Sequence, residues 1–164
     1  MIRRASTATS TVALTASILA FVGLTGCTST QPLEIRAASK DPVPGGVKTE
    51  SPVGNAPLYV LPQVVVTDAD VAWAKESTDA SGNRAVSIWF TPVGARKVQE
   101  YTQAHVDQPI AIFVNGKLCS APIVRSPLKD VAMITDRGDG LSGKQQRDLI
   151  AALNAGKLRP EGMR

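Results

Sequence analysis

Ile110-Ala111-Ile112-Phe113-Val114-Asn115-Gly116-Lys117 predicts one β-strand and the turn that follows it. Asn-Gly between two apolar runs is a strong hairpin signal, because a type I′ turn needs a positive φ at both central positions. The run Lys117 to Val124 returns as the partner strand, and a two-residue loop sets Ile112 opposite Cys119. We therefore expect Cys119 to be a buried core residue with the character of a small hydrophobe.

The flanking sequence predicts further strands and two helices. Ala85 to Phe90 alternates apolar and polar positions, with Trp89 on the face opposite its most apolar residues, and Val131 to Ile134 predicts another short strand. Thr91-Pro92 begins one helix, and Ser142 caps the other. This mixture predicts an α+β fold with one antiparallel sheet and the two main helices packed on one face.

The N-terminal residues 1–26 have the pattern of a signal peptide. Arg3 and Arg4 precede an apolar run that ends at small residues, and this run is shorter than the ~20 residues needed to span a bilayer. Leu24-Thr25-Gly26-Cys27 resembles the lipobox of bacterial lipoproteins. The resemblance implies a lipid on the thiol of Cys27, cleavage before it and an acylated new amino terminus. The alternative is an ordinary secretory signal with an incidental cysteine.

Composition suggests three regions after this signal. Residues 27–56 are rich in Pro, Gly and Ser, which predicts a tether with one candidate short strand at 33–36. Residues 57–159 carry the continuous strand and helix patterns and are expected to fold on their own. Residues 160–164 form a C-terminal tail.

Charge and cysteine content exclude several classes of protein. Of 18 basic side chains in the 164 residues, 16 remain after residue 26, against 14 acidic ones, so the net charge is +2. These charges are interspersed, whereas nucleic-acid binding needs a clustered basic face. If Cys27 carries lipid, Cys119 has no partner for an internal disulfide.

The candidate catalytic and metal-binding residues are few. His105 is the only histidine and lies on an apolar helical stripe, which favours a structural role. With one His and one available Cys, a Cys/His metal site is not expected. The loop Asp136-Arg137-Gly138-Asp139-Gly140 lacks the terminal bidentate Glu of an EF-hand and reads as a solvated turn. We predict no catalytic residue, metal, cofactor or small-molecule substrate, and hence a protein that is not an enzyme.

Three segments closely resemble the head subdomain of the first periplasmic domain of SecD, an accessory subunit of the bacterial Sec export channel. They are Gly94-Ala95-Arg96-Lys97, the strand and turn over 110–117, and Ser120-Ala121-Pro122-Ile123-Val124. Thr67 to Val71 is similar to the short acidic helix of that subdomain, and Leu149 to Leu158 to its closing helix. SecD couples proton flow to export through transmembrane helices that this sequence lacks, so the resemblance implies the fold and the polypeptide contact but not the motor.

The resemblance implies an extracytoplasmic, lipid-anchored module that binds unfolded polypeptide or a cell-envelope protein as an accessory to export. Trp89 is the candidate binding residue, because exposed aromatic area favours peptide contact. The alternative for Trp89 is a packing role under the Pro-rich segment. Thr28 in place of Asp implies the periplasmic face of the outer membrane in a cell with two membranes. The alternative is a structural envelope lipoprotein that docks one defined partner. An open sheet edge would favour the first function, and one contiguous apolar patch the second.

Overall fold

The computed structural model of the chain describes residues 31–52, 54–135 and 141–161. Within these ranges strands and helices follow one another in a fixed order. The elements are β1 (Leu33–Ser39), β2 (Val47–Glu50), β3 (Pro57–Thr67), β4 (Val71–Thr78), β5 (Arg84–Phe90), α1 (Pro92–Ala104), β6 (Ile110–Val114), β7 (Lys117–Ser120), β8 (Val131–Thr135) and α2 (Gly143–Asn154). A 3₁₀ turn, Asp68–Asp70, joins β3 to β4.

The strands form two antiparallel sheets, which confirms the α+β class. One sheet has the order β2-β3-β1-β6-β7 and the other the order β4-β5-β8, whereas the sequence predicted a single sheet. The division occurs at the 3₁₀ turn, where the Asp70 carboxylate accepts a hydrogen bond from the backbone N–H of Thr67 at 3.2 Å. This cap ends β3 and redirects the chain, so that β4 pairs with β5 instead of extending the first sheet.

The strand β1 lies at the centre of the five-stranded sheet, which corrects the predicted domain boundary. It pairs with β3 on one side and with β6 on the other, so the folded unit begins at Leu33 and not at residue 57. The Pro- and Gly-rich composition that suggested a tether belongs to the loops around β2. The signal peptide predicted over 1–26 lies outside the described residues, as do residues 162–164 of the predicted tail.

The main hydrophobic core joins one face of each sheet to both helices. Leu33 and Ile35 of β1 are almost fully buried beside Val86 and Ile88 of β5. Val98 and Tyr101 of α1, with Leu149 and Leu153 of α2, belong to the same cluster. A smaller cluster on the other side of the five-stranded sheet contains Ala38, Leu58, Val60 and Ala111.

The start of α1 is fixed against the 3₁₀ turn. The Thr91 hydroxyl accepts a hydrogen bond from the backbone N–H of Gly94 at 3.1 Å, which confirms the predicted cap. A Cβ at Gly94 would overlap the carbonyl oxygen of Asp70, so only glycine allows this approach. Lys97 then donates to the Asp70 carboxylate at 2.7 Å. The segment Gly94 to Lys97 therefore holds the start of α1 against the 3₁₀ turn.

The hairpin between β6 and β7 has the predicted turn but a different register. Asn115 and Gly116 have φ values of 50° and 74°, as a type I′ turn requires. Beyond the turn a bulge places Ile112 opposite Ser120, not opposite Cys119. The extra residue keeps Cys119 directed into the core, where it is buried as expected.

The central position of β1 predicts which fragments fold. Burying Leu33 and Ile35 contributes about 3–6 kcal/mol, which is comparable with the whole stability of a small domain, about 5–15 kcal/mol. A fragment of residues 31–161 should unfold cooperatively in urea, whereas residues 57–161 should show no cooperative transition by circular dichroism. A shared transition midpoint for the two fragments would contradict the central placement of β1.

Candidate functional site

The edge of β4 that faces away from β5 is covered by the end of α2. The Asn154 side chain donates to the carbonyl of Ala74 at 2.8 Å and accepts from its N–H at 2.9 Å, as a neighbouring strand would. Lys157 Nζ donates to the Val71 carbonyl oxygen at 2.6 Å. Because the outward polar groups of Ala74 are already bonded, this edge is a poor place for another strand to pair.

The two edges of the five-stranded sheet carry features that discourage pairing. The edge strand β2 has only four residues, two of which are Lys48 and Glu50. The edge strand β7 is equally short, begins with Lys117 and contains the bulge. Short length, charge and bulges are the usual means by which natural sheets avoid unwanted strand addition.

The edge strand β8 differs from these three. Its sequence, Val-Ala-Met-Ile-Thr, contains no charge, and among the described residues it pairs with β5 alone. The Phe90 N–H donates to the Asp130 carbonyl oxygen at 2.9 Å, which marks these opposite residues as a hydrogen-bonded pair. Such pairs alternate along an antiparallel ladder. The backbone polar groups of Val131 and Met133 therefore point away from β5, towards a potential added strand.

One face of β8 continues into an aromatic surface. Trp73, Trp89 and Val131 lie opposite one another across the three strands. Both tryptophans are half-buried, while Val131 is 44% and Met133 49% exposed. The Lys75 ammonium lies 5.3 Å from the centre of the Trp89 ring, a cation–π contact. The structure thus places the predicted binding residue Trp89 next to the open edge.

The other face of β8 borders an apolar cleft of about 220 Å³ between the two sheets. Its two apolar walls come from opposite sheets, and a third wall is the segment 122–128. The first two walls consist of Ile35, Ile110 and Ile112 on one side and Ile88, Ala132 and Ile134 on the other. An added strand would direct alternate side chains to the two faces of β8, and both faces offer apolar contact.

Cys119 and His105 have structural surroundings. Burial raises the pKa of the Cys119 thiol, although a backbone hydrogen bond from Val114 and the charge of Lys117 oppose the shift. The His105 ring stacks on Tyr101 with centroids 4.0 Å apart, and its Nδ1 lies 2.7 Å from the Tyr101 carbonyl oxygen. His105 is thus the C-cap residue of α1.

The described ranges contain no group of three or more His, Cys, Asp or Glu side chains able to hold a metal ion. The acidic loop Asp136 to Gly140 and the predicted lipid site Cys27 both lie outside the described residues. Neither helix in the described part of the chain has the length and apolar character to cross a bilayer.

Comparison with known proteins identifies the family. The family model described as SecDF, P1 head subdomain, matches residues 47–159. The chain belongs to the SecDF P1 head family. The matched region contains β8, both helices and the Gly94–Asp70 contact, whereas β1 precedes it.

Relatives and solved structures agree with this assignment. The chain is 38% identical to the protein translocase subunit SecD of Rhodobacter capsulatus over 107 residues, 64% of this chain and 19% of that protein. It is 33% identical to the SecDF subunit of Thermus thermophilus over 95 residues, 57% of this chain and 12% of that protein. The chain therefore spans a fifth or less of these relatives.

Two solved structures of SecDF share the fold. The super-membrane-facing form matches with a TM-score of 0.58 and 25% identity, covering 79% of this chain and 20% of that one. A structure of SecDF described as a membrane component that enhances protein export also gives 0.58, at 23% identity, covering 79% of this chain and 65% of that one. Since 79% exceeds the share matched by either relative, the structural likeness extends beyond the sequence similarity.

Trp89 was predicted from the sequence as a binding residue, whereas the β8 edge and the cleft were not predicted. Val131 to Ile134 was predicted as a strand, and its lack of charged residues was a signal that it could pair with a further strand. Whether a strand ends a sheet depends on long-range pairing, however, and the other cleft wall comes from residues far away in sequence.

Cys119 should be unreactive in the folded protein. Because burial raises its pKa, the thiol should ionise at a higher pH than an ordinary cysteine, whose pKa is about 8.5. Labelling by a maleimide should be much slower in buffer than in urea, and Cys119→Ala should lower the free energy of unfolding by about 1–2 kcal/mol. Equal labelling rates in both solutions would refute the buried assignment.

Proposed function

We propose that this protein is an extracytoplasmic module that binds extended polypeptide at the β8 edge and assists protein export. The observation that carries the proposal is the uncharged, open edge of β8 with apolar surface on both of its faces. Membership of the SecDF P1 head family supports it, since the relatives are named as protein translocase subunits.

Binding would occur by strand addition. The outward N–H and C=O groups of Val131 and Met133 would bond to the backbone of the polypeptide, which makes recognition tolerant of sequence. One row of its side chains would contact Trp89 and Met133, and the other row would enter the cleft near Ile134. Affinity should be weak, because ordering an extended chain costs much of the interaction free energy.

The proposed activity is binding without a catalytic step. A module that holds polypeptide transiently needs main-chain hydrogen bonds and apolar contacts, and neither requires a nucleophile, a general base or a cofactor. The single histidine and the buried Cys119 already have structural roles in α1 and β7. Trp89 and Met133 are the side chains that we expect to contribute most to contact.

We also propose that Cys27 carries a lipid that holds the domain at an extracytoplasmic membrane surface. The support is the lipobox-like segment Leu24 to Cys27 behind a signal-peptide pattern. Thr28 in place of Asp favours the periplasmic face of the outer membrane if the cell has two membranes. More than one acyl chain provides stable attachment, since each buried CH₂ contributes about 0.8 kcal/mol.

Met133→Pro tests strand addition. Proline removes an N–H that points away from β5 and is tolerated at such edge positions, so the fold should survive. Unlipidated chain titrated with a reduced, unfolded model protein should show amide shifts along β8, with binding weakened about tenfold in Met133→Pro, near the upper value of one lost hydrogen bond. The matched variant Met133→Ala keeps the N–H and should lose only a few-fold.

Two results would contradict the polypeptide-binding proposal. One is wild-type affinity in Met133→Pro at unchanged stability. The other is a spectrum that stays flat up to millimolar substrate while a single tight partner is recovered by crosslinking in cells, which would favour a structural lipoprotein that docks one partner.

Cys27→Ser tests the anchor. Wild-type protein from the membrane fraction should carry the mass of a lipid at Cys27, whereas the variant should accumulate as an unlipidated precursor. An unmodified Cys27 in membrane-bound wild-type protein would refute lipidation, and recovery with inner membranes alone would refute the outer-membrane assignment.

A further inference from the structure

The position of β1 limits how far the domain can stand from a lipid on Cys27. Five residues lie between Cys27 and Leu33, and an extended chain spans at most about 3.3–3.6 Å per residue, so the six steps give roughly 20 Å. Leu33 is held firmly, because it is fully buried and pairs with Val114. The carbonyl oxygen of Pro32 accepts a hydrogen bond from the Asn115 N–H at 3.2 Å. With a lipid on Cys27, the end of the domain at which β1 begins would therefore stay near the bilayer.

Four segments meet at that end, which we name the anchor end: residues 68–70, 92–97, 115–117 and 157–159. The hairpin turn lies beside Pro32, and the 3₁₀ turn follows Thr67, the partner of Glu34 in β1. The start of α1 packs on the 3₁₀ turn through Gly94. The segment after α2 reaches the same turn through Lys157, whose Nζ lies 3.4 Å from the Asp68 carbonyl oxygen.

The anchor end is basic. Its five cationic side chains are Arg96, Lys97, Lys117, Lys157 and Arg159, against the two acids Asp68 and Asp70. Asp70 is buried and neutralised by Lys97 at 2.7 Å. The adjacent Lys129 and Asp130, placed by the Phe90–Asp130 hydrogen bond, balance each other.

The same end exposes apolar side chains between these charges. Leu158 is 95% and Val93 50% exposed. An exposed leucine flanked by Lys157 and Arg159 is typical of surfaces that lie at a bilayer interface, where the cations meet headgroups and the apolar group enters the acyl boundary.

Three ion pairs lie at the opposite end of the described domain. Arg125 lies 3.3 Å from Asp107, and Lys144 lies 2.6 Å from Asp148. Arg84 and Glu76 form a third, longer pair at 3.8 Å. The excess of positive charge is therefore concentrated at the end to which the anchor leads.

From the short linker and this charge distribution, we propose that the anchor end rests on an anionic phospholipid surface, with Leu158 and Val93 at the acyl boundary. The inference rests on the proposed lipid at Cys27. The first residue of β8, Val131, lies beside the end of β5, which leads to the anchor end. Docking would therefore place the start of β8 near the membrane, and the strand would run away from it. The open edge would then be presented to polypeptide in one orientation.

Lipidated full-length protein in vesicles tests this orientation. A fluorophore is placed at Ala69→Cys, in the 3₁₀ turn, or at Thr78→Cys, at the far end of β4, while buried Cys119 remains unlabelled. Quenching by nitroxide lipids is compared in phosphatidylcholine vesicles with and without phosphatidylglycerol. We expect quenching at position 69 to be several-fold stronger than at 78, and the difference to grow with phosphatidylglycerol.

Charge variants separate docking from simple tethering. Arg96→Gln combined with Lys117→Gln should remove the effect of phosphatidylglycerol, whereas Arg125→Gln combined with Lys144→Gln, at the opposite end, should not. Thermal unfolding checks that each variant is folded. Equal quenching at both positions in protein whose lipid is confirmed by mass spectrometry overturns the docking proposal and leaves the anchor intact. An unmodified Cys27 overturns both.

Discussion

The two-sided pairing of β1 is the constraint on which the rest of the structure depends. The seven-residue strand β1, Leu33–Ser39, lies between β3 and β6 and pairs with both. Without it, the β2-β3 pair and the β6-β7 pair would not be joined into one sheet. Its inward side chains, Leu33, Ile35 and Ala37, belong to the main core. On the outer face Glu34 and Arg36 form an ion pair at 2.8 Å, and the Arg36 guanidinium lies 5.3 Å from the centre of the Phe113 ring.

The management of sheet edges connects this fold to a function. In the described part of the chain the two small sheets have four edges, and on three of them charge, a bulge or the side chain of Asn154 discourages pairing. The remaining edge, β8, is uncharged and lies between Trp89 and an apolar cleft. Leaving such an edge open carries a risk of aggregation. A role in holding extended polypeptide gives a physical reason for keeping it.

Local signals in the sequence predicted local structure well. The Asn115-Gly116 turn, the Thr91 cap and the Ser142 capping box each depend on residues a few positions apart, and the structure confirms them. Cys119 was predicted to be buried and is buried, although a bulge shifts its partner. The need for glycine at position 94 could not be predicted from local sequence, because it arises from the carbonyl oxygen of Asp70, which approaches from another element.

Long-range pairing accounts for what could not be predicted. Proline and glycine around β2 resembled a tether because loop composition does not reveal whether the flanking strands join a sheet. The division into two sheets depends on the cap that Asp70 places on β3, and the identity of β8 as an edge depends on strands far away in sequence. Trp89 was predicted from its face of the strand, whereas its cross-strand neighbours Trp73 and Val131 depend on a register that the sequence does not show.

Hydrogen exchange of the full-length chain tests most directly whether β1 is the central strand. Amides bonded on both sides of a strand within a sheet open only with the larger cooperative unit. The amides of residues 34–38 should therefore exchange as slowly as those of residues 111–113 in the neighbouring β6. Exchange of 34–38 within seconds, while 111–113 remain protected, would show that this segment is a tether and would contradict the central position of β1.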